Sequence, residues 1–150
     1  GNGTGVKIPQ TPEILPIGKG RIIQDGTDVA ILSFGTRLQE CISAAAILEK
    51  AGLSTTIADA RFAKPLDEDL IRTLADNHKA LITIEEGSIG GFGSFVLEFM
   101  ARDGLLDGRT TIKTMHLPDI FQDHDDPDQQ YETAGLNAKS IAKAARALLK

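Results

Sequence analysis

The chain has 150 residues, 41% of them apolar and 25% charged, which suits one domain with a proper core and excludes a mostly disordered chain. A net charge of -5 and an aromatic content of 5% with no tryptophan argue against partners recognised by phosphate neutralisation or base stacking, so no nucleic-acid role is expected. No apolar run approaches the ~20 residues that span a bilayer and no signal peptide is recognisable, so no membrane role is expected and the chain reads as cytoplasmic.

The opening Gly1-Asn-Gly-Thr-Gly5, followed by Pro9, Pro12 and Pro16, has the composition of a connector that holds no helix. Residues 1–20 therefore read as an interdomain linker and 21–150 as the compact domain, the whole being a piece of a longer protein. Arg21–Ile23 and Asp28–Phe34 read as strands around Asp25-Gly26, a dipeptide that favours a hairpin. Gly35-Thr36 opens a helix to Ala51, with Thr36 as its N-cap and Gly52 as its stop. Leu38, Cys41, Ile42, Ala45 and Leu48 recur at helical spacing and form its inner stripe. As the chain's one cysteine, Cys41 makes no internal disulfide and reads as a small buried hydrophobe.

The strand–helix unit then repeats. Ser54–Asp59 is a strand. Asp67–Asn77 is a helix with Leu70, Ile71 and Leu74 inward and acidic residues at its positive start. Ala80–Glu85 is a strand, Phe92–Arg102 a helix, and Thr111–Leu117 a strand stopped by Pro118. Pro118–Glu132 holds Asp119, Asp123, Asp125, Asp126, Asp128 and Glu132 around His124, without the glycine and glutamate spacing of a calcium loop, and reads as a solvated acidic loop. Asn137 caps a last helix with Ile141, Ala144, Ala145 and Leu148 inward. Alternating elements of this kind imply a three-layer α/β/α sandwich on a mostly parallel five-stranded sheet, with one antiparallel edge strand.

Chemistry concentrates in Glu85-Glu86-Gly87-Ser88-Ile89-Gly90-Gly91-Phe92-Gly93-Ser94, a strand-to-helix turn with four glycines and two carboxylates. Glycine permits unusual backbone angles and close approach, so the turn serves either a ligand or a neighbouring subunit. Phosphate readings fail on spacing. No lysine lies between Lys79 and Lys113, which removes a P-loop, and the glycines miss the first, third and sixth places of a dinucleotide fingerprint. A nucleophile elbow fails because Glu86 stands where Gly-x-Ser-x-Gly needs its first glycine. Glu85, Glu86, Gly87, Gly90, Gly91, Phe92 and Gly93 are therefore read as an interface. Glu85 and Glu86, as neighbours at a strand end, point to opposite faces. Arg61 and Lys64, just past another strand's carboxyl end, are candidate anion contacts. His78 and His116 read as structural, and no residue is assigned to catalysis or to metal.

Asp59-Ala-Arg-Phe-Ala-Lys-Pro-Leu-Asp67, followed by the glycine turn, resembles the C-terminal domain of the transketolase-like thiamine diphosphate enzymes. Within that group Glu13-Ile-Leu-Pro-Ile-Gly-Lys-Gly-Arg21, Leu117-Pro-Asp-Ile-Phe121 and Gly135-Leu-Asn-Ala138 are most similar to the 1-deoxy-D-xylulose-5-phosphate synthases. The resemblance covers essentially the whole chain. It implies a dimer-supporting domain of a transferase that condenses pyruvate with glyceraldehyde 3-phosphate, releasing carbon dioxide, for isoprenoid and thiamine biosynthesis. Thiamine diphosphate and magnesium would be held by other domains of the full-length enzyme and none by this piece, which is expected to be inactive alone. Its expected partners are those domains and a second subunit. One departure stands out: the family commonly has glycine after the position of His124, where this chain has Asp125. The alternatives are a regulatory or partner-binding α/β module and a nucleotide-binding domain.

Overall fold

The structure is a computed structural model that describes residues 10, 11, 13–121 and 124–150. The connector reading of residues 1–9 and of Pro12, and the place of Asp123 in the acidic loop, lie outside the described residues. The elements run β1 (Arg21–Gln24), β2 (Val29–Ser33), α1 (Leu38–Lys50), β3 (Thr55–Asp59), α2 (Glu68–Asn77), β4 (Ala80–Ile84), α3 (Phe92–Arg102), β5 (Thr111–Met115), α4 (Pro127–Thr133) and α5 (Ala138–Leu148). One five-stranded sheet has the order β1-β3-β2-β4-β5, with β2 to β5 mutually parallel and β1 antiparallel to β3. The expected sandwich with one antiparallel edge is what forms.

Every residue of β2 and β4 is buried, as a strand covered on both faces requires. Side-chain alternation then separates two cores. Val29, Ile31, Ile57, Ile82 and Ile84 meet α1 and α5 through Cys41, Ala45, Leu48, Ile141 and Ala145. Ala30, Leu32, Ala58 and Leu81 meet α2 and α3 through Ile71, Leu74, Phe92, Val96, Phe99 and Met100. Burial pushes the Cys41 thiol up to about 12. Among the described residues no helix is long and apolar enough to cross a membrane.

Three local expectations need correction. Asp25-Gly26 reverses the chain, but β3 lies between β1 and β2, so no hairpin forms. The strands it joins are about 10 Å apart, two strand spacings, and the four residues Asp25–Asp28 extend to about 13 Å. The crossing is close: Gly26 N–H donates to Thr56 Oγ1 at 2.8 Å, and a Cβ on Gly26 would fall 2.3 Å from the Thr55 carbonyl carbon. Thr36 is not the cap of α1. That place belongs to Arg37, without a side-chain cap bond, because the Thr36 hydroxyl is engaged elsewhere. The end of α1 is as expected, with Gly52 at φ +78° and the Leu53 N–H on the Leu48 carbonyl. The acidic loop contains a seven-residue helix, α4, started by Asp126 accepting from Gln129 N–H at 3.0 Å and by Pro127 in its first turn.

Candidate functional site at the carboxyl ends of the strands

β2 leads on to β3 on one side of it, and β4 and β5 lie on the other, so the topological switch point falls between β2 and β4. Ligand crevices of open α/β sheets form there, beyond the carboxyl ends. The segment Phe34–Arg37 leaves β2 at this point and Glu85–Gly91 leaves β4.

Glu85 turns toward the α3 face and is 5% exposed. Its Oε2 accepts from Phe92 N–H and its Oε1 from Gly93 N–H, each at 2.9 Å, so one carboxylate caps α3 where the helix dipole favours negative charge. The glycines around it follow from this grip. A Cβ on Gly87 would lie 2.6 Å from Glu85 Oε2 and one on Gly91 2.3 Å from the same oxygen. Gly93 sits over the sheet, where a Cβ would meet Thr83 Oγ1 at 2.9 Å and Thr114 at 3.0 Å. Gly90 has φ +93°. The four glycines thus have uses inside the chain, in seating a buried carboxylate, packing α3 and turning the backbone.

Glu86 points the other way, toward α1 and α4, as strand alternation requires. Its carboxylate accepts hydrogen bonds from the Thr36 and Tyr131 hydroxyls. Arg37 Nε lies 3.3 Å from Glu86 Oε1, close enough for ion pairing but not aligned as a hydrogen bond. The same guanidinium stacks 3.6 Å above the centre of the Tyr131 ring. Burial acts to raise the Glu86 pKa, but the two hydroxyls and Arg37 outweigh it and hold the carboxyl below its ordinary range. The hydrogen bond to Glu86, and then burial, push the Tyr131 phenol above its usual value. Four side chains from the β2 exit, the β4 exit and α4 therefore close the crevice. Glu86 alone of them was an interface candidate from sequence.

The two candidate anion contacts each have a partner of their own. Arg61 is in the left-handed region at φ +57°, its guanidinium reaching Glu13 at 3.3 Å and its N–H donating to Asp59 Oδ1 at 3.1 Å. Lys64 instead lies 4.3 Å over the Phe95 ring. His78 bridges elements, with Nδ1 at 2.9 Å from the Leu74 carbonyl and Nε2 at 2.8 Å from Thr56 Oγ1. His116 Nδ1 donates to the Leu117 carbonyl at 2.8 Å. Thr36, Arg37 and Tyr131 were not recognised as site residues. The signal for the first two is position, directly after the strand beside the switch point, but the assumed hairpin hid the strand order. Tyr131 comes from α4, which the sequence had shown as loop.

The residues present do not fit thiamine diphosphate with its metal. The N–H groups at the start of α3, the natural seat for a phosphate, are filled by Glu85. The nearby cations Arg37 and Arg61 are paired with Glu86 and Glu13. No group of three or more His, Cys, Asp or Glu among the described residues is arranged to hold a metal.

An open, mostly parallel α/β domain, with an inner carboxylate capping the helix after β4 and a closed switch point, is the class that fold and site define. The sequence profile of the transketolase C-terminal domain matches residues 18–141, and the chain belongs to that family. Among solved structures it is similar to a split-gene transketolase described as an inactive β4 tetramer, at 29% identity and a TM-score of 0.84, over 97% of this chain and 47% of that one. It also shares its fold with a point mutant of transketolase from Pichia stipitis, at 12% identity and a TM-score of 0.64, over 88% of this chain and 18% of that one. The chain thus spans about half the length of the first and under a fifth of the second.

Proposed function

We propose that this is the C-terminal, dimer-supporting domain of a 1-deoxy-D-xylulose-5-phosphate synthase, the thiamine diphosphate enzyme that joins pyruvate to glyceraldehyde 3-phosphate with loss of carbon dioxide. The observation that carries the reading is the family match across residues 18–141. The finer assignment leans on the wording of the motifs from Glu13 to Arg21, Asp59 to Asp67, Leu117 to Phe121 and Gly135 to Ala138. The chain's own residues bind, orient and buttress rather than react. Glu85 fixes the path of the turn from Gly87 to Gly91, and Thr36, Arg37, Glu86 and Tyr131 fix the neighbouring crevice. Together they offer a firm outer face, led by the exposed Ile89, to the cofactor-binding domains and a second subunit. Arg61, strained and with its guanidinium paired to an exposed Glu13, is the residue best placed to contact an anionic substrate group once those domains are present. Lys64 stands beside it as a weaker candidate.

A second reading, ketol transfer between sugar phosphates, is favoured by the similarity to split-gene transketolase. Both readings require docking of the glycine turn. Hydrogen exchange of the chain, alone and mixed with the thiamine diphosphate-binding domains of a synthase lacking its own C-terminal domain, tests this. Residues 87–93 should slow on mixing, and catalysis should appear only in the mixture. Unchanged exchange there, or turnover by the chain alone, contradicts the proposal.

A further inference from the structure

Arg61 follows the end of β3 by two residues, and its side chain is only 11% exposed. Enclosing a guanidinium is unfavourable unless a counter-charge faces it. Asp59, close by in sequence, is engaged by the Arg61 backbone N–H and by Arg21 Nε, at 3.1 Å each. Among the described residues the counter-charge is Glu13, 48 residues away in sequence, which meets the guanidinium through one Nη2–Oε2 contact at 3.3 Å. A guanidinium has five N–H donors and grips an oxyanion best through two parallel bonds. Arg72 and Asp103 form such a pair in this chain, at 2.6 and 3.1 Å. Glu13 offers one long contact from an exposed side chain. The segment that carries it is tied down farther along. Lys19 Nζ lies 3.3 Å from Asp67 and 3.2 Å from Asp69, Gly20 N–H donates to Asp67 Oδ2 at 2.9 Å, and a Cβ on Gly18 would fall 2.8 Å from Pro65 Cγ. These ties join residues 18–20 to the loop that presents Arg61. Between them and Glu13, Ile14 and Ile17 are exposed, so little packing holds the carboxylate where it is.

We propose that Glu13 is a resident counter-ion of Arg61 that the phosphate group of a substrate displaces, so that Glu13 sets how tightly that phosphate is held. The inference rests on the reading of Arg61 as an anion contact and adds the residue that competes for it. The ties at residues 18–20 keep the Glu13 carboxylate beside the guanidinium, while a single exposed contact is easily broken. A free carboxylate would gain nothing over one already tethered. A phosphate monoester, with a charge near -2 and three strong acceptor oxygens, brings more charge and a second hydrogen bond. Phosphate is also the group common to both reactions considered above, the synthase and the ketol transfer.

Titration of the chain with inorganic phosphate tests this, with Kd read from the NMR shifts of the backbone N–H groups of residues 60–64 in about 0.15 M salt. The native chain is compared with E13Q, R61Q and E98Q. E13Q keeps the size of the side chain and removes its charge, and should lower Kd about two- to fivefold, the range for loss of an exposed ion pair. R61Q should abolish the response. E98Q removes a carboxylate as exposed as Glu13 but paired with Arg102, and should leave Kd unchanged, which separates competition at Arg61 from a general charge effect. Acetate should bind the native chain more weakly than phosphate does. If Glu13 served only to hold Arg61 in position, E13Q would weaken binding instead. That result, or an unchanged Kd, overturns the inference, while loss of the response in R61Q leaves the anion contact at Arg61 standing. An equal gain in E98Q, or acetate bound as tightly as phosphate, also overturns it. A response that survives R61Q, or no response in either the native chain or E13Q, overturns both the inference and the anion contact.

Discussion

Replacing Glu85 by alanine removes both acceptors from the first N–H groups of α3 in a site that is 5% exposed. Loss of a helix cap costs about 0.5–2 kcal/mol, and each buried donor left unpaired about 1–3 kcal/mol, so E85A should cost about 2–4 kcal/mol even with partial relaxation. For a domain of this length that lowers Tm by roughly 4–16 °C at about 2–4 °C per kcal/mol. Gly87 supplies the control. The three nearest atoms a Cβ there would meet, its chain neighbours aside, all belong to the Glu85 side chain, the nearest being Oε2, which holds the Phe92 N–H. G87A should therefore push that oxygen off its donor and cost about 1–3 kcal/mol, the range for an unpaired buried group. With Glu85 already alanine, the added methyl has nothing to displace and its cost should vanish. Urea unfolding of the two single variants and the double variant gives the coupling directly. The geometry requires about 1–2 kcal/mol of non-additivity, well above the ~0.5 kcal/mol expected of independent sites. Additive costs would refute the view that this glycine is present to seat the carboxylate.

Two other outcomes follow from the titrating groups. Glu86 is held below its ordinary pKa in the folded chain, so its contribution is complete above the unfolded value near 4.3 and is lost as pH falls through and below it. E86Q should lose stability at neutral pH and show a shallower acid limb in unfolding midpoints from about pH 5 to 3; an unchanged acid limb would contradict the cluster's electrostatics. Tyr131, pushed upward, has the opposite sign: its contribution is present below about pH 10 and lost above, a dependence that Y131F should abolish. Cys41, fully buried with its thiol raised to about 12, should resist thiol reagents in the native state and label only at the rate of unfolding. Rapid labelling of folded protein would show that α1 is not packed as described.

Much of the architecture is legible in the sequence, because burial on two faces leaves a plain mark. Ala80–Ile84 and Val29–Ser33 are apolar at all but one position each, and Ile71, Leu74, Ile141 and Ala145 fall on helical spacing, so these elements are legible within a residue or two. The order of the strands was not legible. A turn such as Asp25-Gly26 fixes a reversal but not which strand lies alongside, and the decision belongs to the packing of Gly26 on β3. α4 escaped notice because none of its residues is buried, which leaves it no apolar stripe to read. At the site, the divergence of Glu85 and Glu86 followed from alternation alone. The internal use of the glycines did not, since spacing shows that a close approach exists and only coordinates show to what. A hydroxyl before a helix usually caps it, which is why the sequence points Thr36 to that role; Glu86, just past the end of the adjacent strand β4, takes that hydroxyl instead.

The central claim, that this family member serves a synthase rather than a sugar-to-sugar transferase, is tested most directly by isotopic release. The chain is combined with the thiamine diphosphate-binding domains of a synthase that lacks its own C-terminal domain, and carbon dioxide from carboxyl-labelled pyruvate is followed. The account expects labelled carbon dioxide only when both the chain and glyceraldehyde 3-phosphate are present. Ketol transfer from a sugar phosphate, with pyruvate left untouched, would contradict it.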